Sequence, residues 1–346
     1  MANKMKAVVK TKPEPGAELV EVDVPLPGSD DVLVKVVATS ICGTDLHIYQ
    51  WNDWAKKRIK KLPQIMGHEI CGEIVEVGAN AKNLKIGDIV SAETHIACGY
   101  CFMCRNGLAH VCLNSRILGV DIDGVFAEYA VVPAGNAWLV EEKIPKDYIS
   151  IMEPLGNAVH TVLAGEIAGA TVLITGCGPL GLMAVALCRT CGATKIIATE
   201  INEYRLQLAK KLGADLVINP QKTDVVDAIR EETRSVGVDV VLEMSGNNTA
   251  IHDGIKALRP GGRFTLLGLP DHAIKIDLNE IIFKYLTLQG INGRLMFSTW
   301  YKSTRFLGSG RFDLEPIITH RFRLEEFKKG MELMEDGNCG KVLLYP

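Results

Sequence analysis

Residues 171–188, TVLITGCGPLGLMAVALC, decide the class of fold. The apolar, β-branched start predicts a strand, and the glycines at 176, 178 and 181 predict a tight turn that leads into a helix near residue 179. A membrane-spanning helix needs about 20 uninterrupted apolar residues. Because glycines and Pro179 interrupt this stretch, we predict a strand, a turn and a helix instead.

On the C-terminal side of this stretch the same alternation continues. We predict strands at 195–200, 215–219, 238–246 and 263–268, and helices at 203–214, 225–237 and 248–262. Apolar strands that alternate with helices are typical of a parallel sheet covered on both faces. The first 140 residues instead hold short Val- and Ile-rich segments and no long amphipathic helix, and residues 295–346 are mixed. We therefore predict an α/β protein with a β-rich domain and a doubly wound parallel-sheet domain.

Composition restricts the possible partners and the compartment. The 346 residues carry a formal net charge of −3, so no basic field indicates nucleic acid or an anionic membrane as a partner. The first 16 residues lack the apolar segment of a signal peptide. The ten cysteines are then expected to be thiols rather than disulfides. We expect a cytoplasmic protein that binds neither nucleic acid nor membrane.

The glycine turn predicts a dinucleotide site. Gly176, Gly178 and Gly181 follow the GxGxxG spacing between a strand and a helix, where they permit the turn, the approach of a pyrophosphate and the packing of the helix. Glu200 ends the next predicted strand, and a carboxylate there can bind a ribose diol and repel a 2′-phosphate. NAD is therefore favoured over NADP. Arg205 could stack on adenine or, less favourably, accept a phosphate.

Four cysteines lie close together in the sequence. Cys98, Cys101, Cys104 and Cys112 supply four thiolates from one short loop, which matches a closed, structural zinc site. An iron–sulfur cluster is the alternative, but in bacterial ferredoxins the fourth cysteine comes sooner and precedes proline. We favour structural zinc.

A second possible metal site joins distant segments. Cys42 lies in ICGTDLHIYQWNDW, His68 and Glu69 in MGHEICGE, and Glu153 in MEPLGNAVHT. Cysteine, histidine and carboxylate ligands are typical of a catalytic zinc, which keeps one position open. An alcohol bound there becomes more acidic and can then donate hydride to a nicotinamide. This metal site and the dinucleotide site together predict an alcohol dehydrogenase.

The order of CGTDLH, GHE, the four cysteines and the glycine turn resembles the zinc-dependent medium-chain alcohol dehydrogenase family. The resemblance implies a GroES-like catalytic domain from residues 1–154 and 295–346, with a structural zinc lobe at about 95–113. It implies a Rossmann NAD-binding domain at 155–294, one catalytic and one structural zinc per chain, and a homotetramer.

The resemblance also implies roles for single residues. Cys42, His68 and Glu69 would bind the catalytic zinc, with Glu153 beside it, and Thr44 and His47 would hydrogen-bond the substrate oxygen and pass its proton outward. The NAD groove would be lined by Leu180, Glu200, Arg205, Leu267, Gly268, Leu269, Ile291 and Asn292.

Within the family, HIYQWNDW and PLGNAVHT are most similar to enzymes that oxidise the 3-hydroxyl of L-threonine to 2-amino-3-oxobutyrate with NAD. A polyol or secondary-alcohol dehydrogenase of the butanediol or sorbitol type is the alternative. A zinc-stabilised dinucleotide-binding protein without turnover is an alternative of a different class. The complete set of Cys42, His68, Glu69 and Thr44 speaks against it.

Overall fold

The computed structural model describes residues 3–141 and 143–346. The chain divides into two compact units. The first unit comprises Met1–Pro154, Leu295–Gly308 and Ile318–Pro346, and the second comprises Leu155–Arg294 and Ser309–Ile317. Among the helices of the described ranges, none combines the length and the hydropathy of a membrane-spanning segment.

Strands are the main regular elements of the first unit and form the centre of the second. In chain order they are β1 (Lys4–Lys10), β2 (Glu18–Asp23), β3 (Asp31–Ser40), β4 (Gln64–Ile65), β5 (Glu69–Val77), β6 (Ile89–Ala92), β7 (His95–Ile96), β8 (Arg116–Ile117), β9 (Tyr129–Pro133), β10 (Ala137–Leu139), β11 (Thr171–Thr175), β12 (Lys195–Thr199), β13 (Leu216–Ile218), β14 (Val238–Glu243), β15 (Leu258–Leu266), β16 (Thr287–Gly290), β17 (Ile318–Arg323) and β18 (Lys341–Tyr345).

The helices of the first 150 residues are short, and the longer ones come later. In chain order they are α1 (Gly43–Gln50), α2 (Asp53–Arg58), α3 (Phe102–Arg105), α4 (Lys146–Ser150), α5 (Met152–Val162), α6 (Pro179–Thr190), α7 (Glu203–Lys211), α8 (Val225–Glu232), α9 (Asn248–Ala257), α10 (Leu278–Phe283), α11 (Ser298–Gly308) and α12 (Phe327–Asp336). Short 3₁₀ helices lie at Ala109–Val111, Glu315–Ile317 and Leu324–Glu326.

The second unit is built on a six-stranded sheet in the order β13-β12-β11-β14-β15-β16. Every pair in this sheet is parallel, which confirms the predicted doubly wound sheet. The strand order reverses between β11 and β14. In open sheets of this kind, ligands bind at the carboxyl ends of the strands beside that reversal. The glycine turn after β11 lies at this point.

Three helices of the second unit end earlier than predicted. Helix α7 ends at Lys211 instead of residue 214, and Gly213 adopts a positive φ of 106°. Helix α8 ends at Glu232 instead of residue 237, because Arg234 and Ser235 adopt positive φ angles of 51° and 64° that a right-handed helix does not contain. Helix α9 ends at Ala257 instead of residue 262. Residues 258–262 belong to β15 instead, where Leu258 pairs with Val238.

The first unit contains a three-stranded antiparallel sheet in the order β2-β1-β4 and a larger seven-stranded sheet. In the larger sheet, β3 pairs with three other strands, namely β5, β9 and β18. The register aligns Ser40, at the end of β3, with Glu69, at the start of β5, and with Leu343 of β18. The C-terminal end of β3 and the N-terminal ends of β5 and β18 therefore lie next to one another in the sheet.

Candidate active site

The predicted catalytic metal ligands lie at this meeting of strand ends. Cys42 follows β3 and precedes the first turn of α1, and His68 and Glu69 begin β5. One ligand atom from each of the three residues lies within 4.8 Å of the other two. His68 and Glu69 are 4% and 0% exposed, and Cys42 is half-buried. Pairing of β3 with β5 thus brings together residues that are 26 and 27 positions apart in the sequence.

Two polar atoms of this cluster have no hydrogen-bond partner in the described part of the chain, namely His68 Nδ1 and Glu69 Oε1. Buried polar atoms are nearly always paired, so such atoms call for an explanation. His68 Nδ1 faces Asp45 Oδ1 at 3.5 Å, which leaves Nε2 as the nitrogen available to a metal. The second carboxylate oxygen of Asp45 accepts the backbone N–H of Cys42 at 2.9 Å. The donor set fits a zinc ion.

Charge and burial act on these groups in opposite directions. Burial disfavours the charged form of His68, but the negative charges of Asp45 and Cys42 outweigh it and raise the pKa of the imidazole. Burial and the charge of Glu153 raise the pKa of Glu69, although Lys341 and His68 act against this shift. A divalent cation would favour the ionised carboxylate and the neutral imidazole that zinc binding requires.

The other oxygen of Glu69 has two partners. Oε2 lies 2.5 Å from Lys341 Nζ and also accepts a hydrogen bond from the hydroxyl of Ser40. Sequence analysis missed Lys341, which lies 272 positions beyond Glu69. A lysine at the start of the apolar strand KVLLY was the only available signal.

Glu153 lies in the first turn of α5 and is 5% exposed. Its Oε1 accepts a hydrogen bond from the hydroxyl of Thr94 at 3.2 Å. It does not belong to the three-residue cluster, but its charge acts on both Glu69 and Lys341. This places a second carboxylate beside the cluster.

The proposed proton-relay residues lie on α1. Thr44 is half-buried and lies two positions after Cys42, and His47 is exposed one turn later. The Asn52 side-chain amide nitrogen lies 2.8 Å from His47 Nδ1. Because Asn52 Oδ1 already accepts the backbone N–H of Ala55, the amide donates to Nδ1, and the ring proton resides on Nε2. The Trp54 ring lies 5.9 Å from the His47 ring.

The four cysteines of the second cluster also converge, with their sulfur atoms within 4.8 Å of one another. The Cys101 sulfur lies 3.5 Å from that of Cys104 and 3.8 Å from that of Cys112. Zinc–sulfur bonds of about 2.3 Å in a tetrahedron place the sulfurs about 3.8 Å apart, so the donor set fits a structural zinc ion.

Backbone and side-chain donors favour the thiolate of Cys98, whereas burial and the neighbouring Cys101 raise the pKa of Cys104 to about 12. The Cys112 sulfur accepts the backbone N–H groups of Cys98 and Asn114, each at 3.3 Å. Desolvation works against ionisation of Cys98, but hydrogen bonds from the Asn114 side chain and from the backbone of Tyr100 and Cys101 lower its pKa to about 6.

In the second unit, a cavity of about 560 Å³ lies beside the glycine turn and is lined by Gly176, Gly178, Glu200 and Arg205, among others. Gly176 has a φ of +87°, and a Cβ on Gly181 would lie 1.9 Å from the Gly176 carbonyl oxygen. A Cβ on Gly178 would meet nothing within 4 Å. The three glycines thus supply a left-handed turn, a close helix contact and open space for a ligand.

Backbone donors hold the carboxylate of Glu200. Oε2 accepts the N–H of Cys177 at 2.9 Å, and Oε1 accepts the N–H groups of Ile201 at 2.8 Å and Asn202 at 3.1 Å. The carboxylate therefore lies at the end of β12, on the wall of the cavity, in one fixed orientation.

The remaining predicted cofactor contacts do not line this cavity. They lie at the start of α6 and just after β15 and β16: Leu180, Gly181, Leu267, Gly268, Leu269, Ile291 and Asn292. The backbone N–H groups of Leu267 and Gly268 donate to the Glu243 carbonyl oxygen. Glu243, fully buried at the end of β14, was missed by sequence analysis. Its carboxylate accepts the hydroxyl of Thr175 and the N–H of Gly246, and so links the ends of β11 and β14.

Two family models match the chain. The model described as zinc-binding dehydrogenase matches residues 179–309, and the model described as alcohol dehydrogenase GroES-like domain matches residues 28–142. An L-threonine 3-dehydrogenase of Caldanaerobacter subterraneus subsp. tengcongensis is 55% identical over 344 residues, which cover 99% of each chain.

Solved structures with bound cofactor are also similar. A Sinorhizobium meliloti 1021 protein bound to NADP superposes with a TM-score of 0.92 and 31% identity, over 99% of this chain and 100% of that one. An Escherichia coli CFT073 protein described as a short chain alcohol dehydrogenase, complexed with NADH, gives 0.91 and 28% identity over 99% of each chain. Of these two structurally similar proteins, one therefore binds NADP and the other binds NADH.

Proposed function

This chain belongs to the zinc-dependent medium-chain alcohol dehydrogenase family, and from this premise we propose that it oxidises the 3-hydroxyl of L-threonine to 2-amino-3-oxobutyrate with NAD. The observation that carries the proposal is the cluster of Cys42, His68 and Glu69, in which the buried oxygen Glu69 Oε1 has no partner in the described part of the chain. The full-length similarity to an L-threonine 3-dehydrogenase, at 55% identity, supports the choice of substrate.

We assign the reaction chemistry to the first unit. Cys42, His68 and Glu69 would hold a zinc ion and leave one coordination position to the substrate. When bound, zinc makes the substrate hydroxyl a stronger acid. Thr44 and His47 would carry the released proton outward, and His47 would take it at Nδ1 when the Asn52 amide gives up its hydrogen bond to that nitrogen. Glu153, beside the cluster, would assist the exchange of ligands or the transfer of the proton.

We assign NAD binding to the second unit, within the predicted limits of residues 155–294. When bound, NAD accepts the hydride from the substrate carbon. The carboxylate of Glu200 would accept the hydroxyls of the adenosine ribose, and its negative charge would oppose a 2′-phosphate. The Gly178 backbone leaves the pyrophosphate free to approach the first turn of α6. The four-cysteine lobe would carry the structural zinc.

We also propose a homotetramer in the cytoplasm. Strand β16 lies at the edge of its sheet, and the preceding residues Ile282, Phe283 and Tyr285 are 69%, 85% and 86% exposed. The four-cysteine lobe exposes Tyr100 and Phe102 as well. An unpaired edge and exposed apolar side chains are typical of surfaces that a second copy covers. The ten free thiols support a reducing compartment.

A substrate panel tests the assignment. Purified, zinc-loaded protein is mixed with NAD and with L-threonine, butane-2,3-diol or sorbitol, and NADH absorbance is followed. We expect the highest kcat/KM with L-threonine. Turnover of a diol or polyol without turnover of L-threonine would refute the substrate, and NADH formation with none of the three would refute a dehydrogenase of this class.

A further inference from the structure

Lys341 is a fully buried lysine beside the proposed catalytic metal site. It is the first residue of β18 and is 2% exposed. The register of β18 with β3 pairs Leu343 with Ser40, and Ile41 donates its N–H to the carbonyl of Val342. Lys341 therefore lies at the end of β3, where the chain continues into Cys42. A buried ammonium group is costly unless it is paired, so its partners indicate its role.

Those partners are few and specific. Lys341 Nζ lies 2.5 Å from Glu69 Oε2 and donates to the carbonyl of Ile41 at 3.0 Å. The hydroxyl of Ser40 donates to the same oxygen of Glu69. Because a carboxylate is planar and rigid, two donors on Oε2 also fix the position of Oε1. Oε1 has no partner in the described chain, so it is the oxygen available to a metal.

The charges of the site lead to the same conclusion. The Cys42 thiolate, Asp45, Glu69 and Glu153 together bring four negative charges to the zinc-binding form of the site. A divalent metal offsets two of them, and Lys341 offsets a third. Burying an uncompensated charge is strongly unfavourable, so loss of the Lys341 charge would weaken the site.

We propose that Lys341 is a positioning residue of the catalytic zinc site: it holds Glu69 by Oε2, presents Oε1 to zinc, and balances the negative charge around the metal. This inference rests on the proposed zinc ligands and not on the identity of the substrate. The competing explanation is a purely structural one, in which Lys341 only ties β18 to the end of β3 through Ile41.

A measurement of zinc affinity distinguishes the positioning role of Lys341 from the purely structural one. We expect Lys341→Met to bind the catalytic zinc about 10- to 100-fold more weakly, because loss of a hydrogen-bond partner of a metal ligand has effects of this size. Affinity is measured by competition with a chromogenic chelator, without substrate or NAD. The four-cysteine site should keep its zinc. Lys10→Met is the matched control, because Lys10 is also buried but donates to backbone carbonyls, including those of Gly16 and Tyr49, and lies over the Trp51 ring.

A double-mutant cycle tests whether Lys341 acts through Glu69. In a Glu69→Gln background the neutral side chain cannot form the ion pair, so Lys341→Met should then have little further effect on zinc affinity. An equal loss of affinity in both backgrounds would overturn the proposal. Unchanged zinc affinity in a folded Lys341→Met protein would also overturn it. Should Lys341→Met fail to fold, Lys341→Gln keeps a donor and removes the charge, and unchanged zinc affinity in that variant would refute the charge-balancing role.

The outcome is independent of the proposed function. If the chain bound zinc as described but did not oxidise L-threonine, the substrate assignment would be wrong while the role of Lys341 would stand. If Lys341→Met lost L-threonine turnover at full zinc occupancy and unchanged zinc affinity, this role would be wrong while the proposed function would stand.

Discussion

Replacing Glu200 should change which dinucleotide the enzyme prefers. The carboxylate lines the cavity beside the glycine turn and is fixed by the backbone N–H groups of Cys177, Ile201 and Asn202. In Glu200→Ser the acceptor for the ribose hydroxyls is lost. The same change removes a negative charge and leaves three backbone donors without their acceptor, and a phosphate could use those donors.

The expected magnitude follows from these two effects. A hydrogen bond to a charged group contributes about 1.5–3 kcal/mol, so NAD should bind roughly 10- to 150-fold more weakly. Two like charges about 4 Å apart near a protein surface repel by about 4 kcal/mol, and if salt and water screen half of that, about 2 kcal/mol of repulsion against a 2′-phosphate is relieved. Together the NAD-to-NADP preference should fall roughly 300-fold or more.

The assay compares kcat/KM for NAD and NADP at one fixed L-threonine concentration, in the parent protein and in Glu200→Ser. Glu203→Ser is the matched control, because Glu203 starts the next helix but pairs with Lys222 and does not line the cavity. The control should keep the parent preference. A preference in Glu200→Ser within threefold of the parent value would refute the role of this carboxylate.

Two further substitutions test the glycine turn and the relay histidine. Gly181→Ala should lower the free energy of unfolding by about 1–3 kcal/mol and weaken NADH binding, because its Cβ would lie 1.9 Å from the Gly176 carbonyl oxygen. Gly178→Ala should weaken NADH binding without a change in the free energy of unfolding, because its Cβ would meet no atom within 4 Å. Equal melting temperatures for the two variants, measured alongside a fluorescence titration with NADH, would contradict this division. Asn52→Asp keeps the cap on α2 but places a carboxylate beside His47 Nδ1, which stabilises the protonated ring, so the acid limb of the kcat/KM profile should move to higher pH. Asp53→Asn is the control, and an identical pH profile in Asn52→Asp would rule out a relay through His47.

The parallel-sheet half of the fold could be predicted because its signals are local. Apolar strands, helical spacing and glycine turns each occupy a short stretch, and the parallel orientation of the strands follows from their alternation with helices. The C-terminal ends of α8 and α9 were harder to predict from the sequence. Arg234 and Ser235 are not residues that favour a positive φ, and residues 258–262 form a strand because Leu258 pairs with Val238 across the sheet.

The polar partners of the site were missed for a different reason. Lys341 reaches Glu69 only because β18 pairs with β3, which itself pairs with β5. Glu243 accepts the side-chain hydroxyl of Thr175 at the end of β11 and the backbone N–H groups of Leu267 and Gly268, which follow β15. Asn52 is near His47 in sequence, but its role depends on a side-chain rotamer that no spacing rule predicts. Residues that bind through their own chemistry can be predicted from sequence, and residues that act through a neighbour require the structure.

Comparison of Cys42→Ser with Cys104→Ser tests the central claim most directly, with zinc content per chain and L-threonine turnover measured on the same folded samples. We predict that Cys42→Ser loses one zinc and all turnover but stays folded and still binds NADH, because its site is open and catalytic. Cys104→Ser should lose fold or assembly, since a four-thiolate site contributes folding free energy. Retained turnover in Cys42→Ser, or the same loss of fold in both variants, would contradict the assignment of one catalytic and one structural site.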